Sequence, residues 1–142
     1  MSKVQLVRDI MTKELSTLDH TGRLLDAVLL MRSSGFRHLP VVNGDKLVGL
    51  VSDRDVHRAA PSIFGKITQE EYNRIFETTP ITKVMTREPV TVTPDTPVRD
   101  VVHLMHERKF GSMPVVEGDN KLVGLITTTD LLGILHEMLG KP

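Results

Sequence analysis

One stretch of this chain is written twice. FRHLPVVNGDKLVGLVSDRD, from Phe36 to Asp55, returns as FGSMPVVEGDNKLVGLITTTD, from Phe110 to Asp130. Sliding the 142-residue sequence against itself by 74 aligns Ile10–Asp45 with Val84–Asp119 without a gap, at 14 identities in 36. Asn120 is extra in the second copy, so the offset becomes 75, and Lys46–Val56 then matches Lys121–Leu131 at 6 identities in 11. Composition alone does not supply that many. A duplication restricts the chain to folds in which one supersecondary unit is used twice and the copies cover each other.

Each copy predicts the same order of elements. MTKELSTL and MTREPVTV open the units with a short extended piece, and Arg23–Ser33 and Pro97–Arg108 follow with apolar residues at helical spacing. Pro97 suits a first helical position behind Thr96 as N-cap. HLPVV or SMPVV comes next, then a turn of Asn43-Gly44-Asp45 or Glu117-Gly118-Asp119-Asn120, then KLVGLVS or KLVGLIT. Such turn residues between apolar runs read as a β-hairpin. A second helix closes each unit, through Val56–Ala60 and Leu131–Leu139. The expected class is therefore α+β, with β-α-β-β-α twice: a first repeat over 4–60, a connector over 61–80 and a second repeat over 81–139. Within the connector, Thr68-Gln69-Glu70-Glu71 resembles a capping box leading into a helix over Glu70–Glu77. A unit of about 60 residues is marginal alone, so the two are expected to pack sheet to sheet with pseudo-two-fold symmetry.

Composition removes several functions. With 39% apolar and 25% charged residues the chain can build a core. Eighteen basic residues balance eighteen acidic ones, and aromatic residues make up only 4%, which argues against nucleic acid or an anionic membrane as partner. The absence of cysteine removes disulfides and thiolate chemistry. No apolar run approaches the roughly 18 residues of a membrane span, so a cytoplasmic location is expected.

Ser52-Asp53-Arg54-Asp55 and Thr127-Thr128-Thr129-Asp130 sit where a strand gives way to a helix. One reading is a capping box, with the hydroxyl accepting from the N3 amide while the Asp reaches back to the N-cap amide. The other uses the same geometry for a ligand. An ionised Asp can accept from two adjacent hydroxyls, the arrangement of a ribose 2′,3′-diol, and free amides at a helix start suit a phosphate. The residues alone leave both open.

Taken together, the MT near each unit's start, the h-x-x-h-P-V-V strand, the G-h-[IVL]-[ST]-x-x-D ending and the duplication resemble the CBS-domain pair, or Bateman module, over about residues 4–139. The stand-alone form with a helical connector resembles the acetoin-utilisation regulatory type. The resemblance implies a non-catalytic regulatory sensor that binds an adenine nucleotide (ATP, ADP or AMP, with or without magnesium) in clefts between the repeats. It also implies a homodimer and an effector protein that the sequence does not name. Carried over, one cleft uses Arg37, His38, Leu50, Ser52 and Asp55, facing Thr96, Val101, Phe110 and Gly111. The other uses Gly111, Ser112, Leu125, Thr127 and Asp130, facing Gly22, Ala27, Phe36 and Arg37. Arg37 and His38 favour a phosphate-rich ligand at the Asp55 cleft, whereas the Asp130 cleft suits a weaker or less charged one. A structural module with vestigial sites, and a site for S-adenosylmethionine or a dinucleotide, are the competing readings.

Other residues carry structural expectations. Phe36 and Phe110 read as packing residues that could also stack on a base. Pro40 and Pro114 within strands point to an edge or a bulge. The seven methionines, Met31 and Met105 among them, read as core filler, and Arg54 as a phosphate contact or a solvated residue. His103, His106 and Glu107 read as polar surface rather than a metal site. No phosphate-binding GxxxxGK[ST] loop or nucleophilic triad is signalled.

Overall fold

The computed structural model describes residues 5–61 and 67–142. Residue 4 of the expected first repeat and 62–66 of the expected connector lie outside the described residues. In chain order the helices are α1 (Val7–Ile10), α2 (Leu24–Ser34), α3 (Asp53–Ala59), α4 (Gln69–Thr78), α5 (Val98–Arg108) and α6 (Thr128–Leu139). The strands are β1 (Leu18–Asp19), β2 (His38–Asn43), β3 (Lys46–Ser52), β4 (Thr86–Arg87), β5 (Ser112–Glu117) and β6 (Lys121–Thr127), and a 3₁₀ turn spans Ile81–Lys83.

These elements form two compact units that are out of phase with the sequence repeats. One is Ser16–Pro89, here the Asp55 unit; the other joins the described residues up to Leu15 to Val90–Pro142, here the Asp130 unit. Each repeat thus gives its opening residues to the other repeat's unit.

Inside the Asp55 unit, β1 runs parallel to β2 with Leu18 opposite Val41. β2 pairs antiparallel with β3, His38 opposite Ser52, and β3 with β4, Leu50 opposite Thr86. The Asp130 unit repeats this arrangement: Val92 bridges in parallel to Val115, β5 pairs antiparallel with β6, and Thr12 bridges antiparallel to Leu125. The register shifts between Val41 and Val42, and between Val115 and Val116, so each bulge falls just past Pro40 or Pro114. The prolines mark bulges, and β2 is paired on both sides.

The exchanged segments also start the long helices. Pro97, not Thr96, is the N-cap of α5, and no side chain caps it. The Thr96 hydroxyl instead accepts from the Thr93 N–H at 3.0 Å. Orphan amides at a helix start need partners, and the N-terminal segment supplies one: Val98 N–H donates to Gln5 C=O, and Val7 N–H to Thr96 C=O, both at 2.9 Å. At α2 the 79–81 segment does the same, with Leu24 N–H donating to Thr79 C=O and Ile81 N–H to Gly22 C=O, both at 2.9 Å. Val7 and Ile81 occupy equivalent positions and are fully buried, each contributing about 1.5–3 kcal/mol.

Each unit has its own apolar core. Leu18, Ala27, Leu39, Val41, Val51 and Ile81 form one, with Met31 and Met85 packed on it. Val7, Val92, Val101, Met105, Met113, Val115 and Ile126 form the other, joined by Met11 and Phe110. Most described methionines fill core as expected, but Met138 is 78% exposed.

The Gly of each KLVGL run has a specific partner. A Cβ built on Gly49 would meet Met85 first, its Cγ at 2.9 Å and its Sδ closer still. At Gly124 it would meet Met11 Sδ at 2.7 Å and the Thr12 carbonyl at 3.2 Å. The MT and VGL motifs are therefore two sides of one contact, each made across the repeats.

Candidate ligand-binding site

Both S/T-x-x-D sequences form capping boxes, and both helices begin where the cap dictates, three residues before the first expected helical position. Ser52 caps α3: its hydroxyl accepts from the Asp55 N–H at 3.2 Å, and Asp55 Oδ2 accepts from the Ser52 N–H at 2.8 Å. Thr127 caps α6 in the same way, at 3.3 and 2.8 Å. The cap geometry fixes each carboxylate at a strand end instead of consuming it, so the two readings of the motif are compatible.

Around Asp55 the hairpin register does the positioning. His38 lies opposite Ser52 on β2 and β3, and the Arg37 carbonyl accepts from the Asp53 N–H at 2.9 Å, tying the start of β2 to the start of α3. Asp55 is only 15% exposed, and its Oδ1 has Arg58 Nη1 at 3.9 Å. Burial pushes the His38 imidazole below its ordinary value; the carboxylates of Asp53 and Asp55 pull the other way, while Arg37 and Arg54 reinforce the decrease. Arg37 and Arg54 beside it are exposed.

Asp130 has more neighbours. Oδ2 also accepts from the Thr127 hydroxyl at 3.1 Å, and Oδ1 from the Thr12 hydroxyl at 3.2 Å. The Gly111 carbonyl accepts from the Thr128 N–H at 3.1 Å, the counterpart of the Arg37 contact. Ser112, opposite Thr127, is buried, and its hydroxyl has no hydrogen-bond partner among the described residues.

The sixteen expected site residues divide evenly. Gly22, Ala27, Phe36, Arg37, His38, Leu50, Ser52 and Asp55 belong to the Asp55 unit, and Thr96, Val101, Phe110, Gly111, Ser112, Leu125, Thr127 and Asp130 to the Asp130 unit. Hydrogen bonds and strand register join Arg37, His38, Ser52 and Asp55 in the first, and Gly111, Ser112, Leu125, Thr127 and Asp130 in the second. Ala27 and Val101 are fully buried members of their units' cores. Phe110 packs on a core, whereas Phe36 stands 38% exposed. Thr12, Asp53 and Arg58 were missed; the Met-Thr motif common to both repeats was the available signal for Thr12. Among the described residues no group of three or more His, Cys, Asp or Glu could hold a metal, and no helix is long and apolar enough to cross a membrane.

A model of the CBS domain matches residues 7–62 and 81–137. The sequence is 30% identical to a CBS domain-containing protein of Dictyostelium discoideum, covering 94% of this chain and 93% of that one. Several other curated relatives are longer; the chain spans 42% of one from Methanocaldococcus jannaschii and 24% of a homoserine O-acetyltransferase of Methanohalobium evestigatum. Among solved structures, an acetoin utilization protein, AcuB, of Vibrio cholerae is similar at a TM-score of 0.79 and 34% identity, over 99% of this chain and 100% of that one. Two similar structures hold adenosine compounds. The CBS domain pair of protein MJ0100, with 5′-methylthioadenosine and S-adenosyl-L-methionine, matches at 0.77 and 26% over 94% and 97% of the chains. CBSX2 of Arabidopsis thaliana with AMP matches at 0.78 and 26% over 95% and 98%.

Proposed function

Because the chain belongs to the CBS-domain family as a pair, we propose that it is a non-catalytic regulatory sensor that binds an adenine nucleotide, AMP, ADP or ATP, through Asp55 and Asp130. The observation that carries this reading is the Asp55 carboxylate, largely buried and anchored through Oδ2 to the Ser52 amide, with Oδ1 facing no donor among the described residues closer than Arg58 at 3.9 Å. A ribose diol supplies the donors such an oxygen lacks. Arg37 and Arg54 then attract the phosphates. The Asp130 end has Gly111 and Ser112 where the Asp55 end has Arg37 and His38. That favours an adenosine derivative without phosphates there, such as 5′-methylthioadenosine or S-adenosylmethionine.

A ligand regulates only if it binds two states of the protein unequally, and an effector protein is the intended reader of that difference. On α6, Leu132, Leu135 and Leu139 are 62%, 46% and 76% exposed at i, i+3 and i+7, a stripe that supports a homodimer. Replacing Leu132 and Leu135 by Glu is expected to leave a monomer by light scattering.

Thermal unfolding with AMP, ADP, ATP, S-adenosylmethionine, 5′-methylthioadenosine and NAD, with and without magnesium, tests the binding. A ligand at 100 times its Kd stabilises by about 2.7 kcal/mol. Asp55→Ala is expected to abolish most of the AMP shift. If no adenosine compound raises the melting temperature, the protein is an interaction module with vestigial sites.

A further inference from the structure

The carboxylates of Asp55 and Asp130 differ in how many donors already hold them. Asp130 receives three: the Thr127 N–H at 2.8 Å and hydroxyl at 3.1 Å on Oδ2, and the Thr12 hydroxyl at 3.2 Å on Oδ1. Among the described residues Asp55 receives one at hydrogen-bond distance, the Ser52 N–H at 2.8 Å on Oδ2. The contrast originates in the exchanged segments. Thr86 lies opposite Leu50 as Thr12 lies opposite Leu125. Thr86 is exposed and bonded to no carboxylate among the described residues, whereas half-buried Thr12 reaches Asp130. Its backbone fixes it there: the Thr12 N–H donates to the Leu125 carbonyl at 2.8 Å, and the Leu125 N–H to the Thr12 carbonyl at 3.0 Å.

An ionised carboxylate offers about four lone-pair positions. A diol needs two of them, and at Asp130 three are taken. We propose that the Thr12 hydroxyl is a specificity-determining latch on Asp130, holding the oxygen that a ribose diol would use and so making this end the weaker of two unequal sites. The latch rests on the adenosine-binding reading above. A ligand entering at Asp130 must turn the Thr12 hydroxyl away, losing one charge-assisted hydrogen bond that a ligand at Asp55 does not have to break. Thr12, from the first repeat, thereby sets the affinity of the second repeat's aspartate.

Isothermal titration with AMP and with 5′-methylthioadenosine tests this on the intact wild type, Thr12→Val, Thr12→Ser, Thr86→Val, Asp55→Ala and Asp130→Ala. Valine matches threonine in shape and leaves the backbone bonds to Leu125 in place. The weaker of two binding phases, the one that Asp130→Ala removes, is expected to tighten about ten-fold in Thr12→Val, the effect of freeing one hydrogen bond to a charged group. Thr12→Ser, which keeps the hydroxyl, should match the wild type, and Thr86→Val should change neither phase. If the wild type shows only the Asp55 phase, the second should emerge in Thr12→Val. An unchanged or weakened Asp130 phase in Thr12→Val, or a single phase in both proteins, overturns the latch and leaves the sensor reading standing. No binding of either compound to any of these proteins overturns both.

Discussion

Gly49→Ala should destabilise the protein on its own and stabilise it once Met85 is shortened. Gly49 does not lie at positive φ, so the alanine meets no backbone strain, and replacing glycine should gain about 0.4–1 kcal/mol through the unfolded state. Against this stands the collision: carbon atoms pack best at about 3.5–4.0 Å, yet the new Cβ would lie 2.9 Å from Met85 Cγ and 3.1 Å from its Cε. Forcing an added methyl into such a contact costs about 1–3 kcal/mol. The net loss then lies between about 0 and 2.6 kcal/mol, a drop in melting temperature of up to about 10 °C for a chain near this size. The three nearest atoms all belong to Met85. In a Met85→Ala background the collision is gone, so adding Gly49→Ala should raise stability by about 0.4–1 kcal/mol. Gly124 supplies the contrast, because the Thr12 carbonyl at 3.2 Å remains after Met11→Ala, and Gly124→Ala should stay unfavourable in that background. Urea unfolding of the two four-member cycles measures both couplings. Equal effects of Gly49→Ala in the presence and absence of the Met85 side chain would refute the Gly–Met pairing.

Three further outcomes follow from local features. Ser52→Ala and Thr127→Ala each remove an N-cap acceptor and should each cost about 1 kcal/mol in chemical unfolding; Thr127→Ala should cost more, because its hydroxyl also donates to Asp130. His38 titrates below its ordinary value of 6.5 because of burial, so the folded state binds fewer protons than the unfolded state between the two pKa values. Stability should therefore rise with pH through that window, be fully present above about 6.5 and fall away in acid. Unfolding midpoints measured from pH 5 to 8 should show a shallower rise in His38→Gln, and an identical slope would contradict the assignment. Lys109 ends α5 in the left-handed region at φ 58°, where α2 has Gly35 at φ 79°, so Lys109→Gly should raise the melting point, the side chain's cost there being about 1 kcal/mol.

What the sequence disclosed and what it hid follow from distance along the chain. The hairpins were readable because Gly44 and Gly118 sit between alternating apolar runs, and the capping boxes because their partners are three residues apart. The closing helices begin three residues before Val56 and Leu131 because the first turn after each cap is polar and carries no apolar spacing to mark it. Thr96 has the residue type of a cap, but the donor such a cap would satisfy is met by Gln5, about ninety positions away by sequence number. The exchange of opening segments was invisible for a similar reason. Gln5–Asp9 and Thr79–Lys83 do equivalent work without one identical residue, since a backbone carbonyl caps a helix whatever side chain it carries. The lowered pKa of His38 depends on burial, which its neighbours in sequence do not report.

The mismatch between repeat and unit changes where this chain can be cut. A fragment that ends at the close of the first repeat keeps Met11 but loses Met85, so the floor over Gly49 is missing and Ile81 leaves a hole in the core. Ser16–Pro89 instead carries its own lid, and is the shorter piece that should survive expression alone. Its complement is discontinuous, and becomes one stretch only in a permuted gene that joins the present C-terminus to the present N-terminus. Copying one repeat alone would therefore transmit most of one body and only the opening piece of the other.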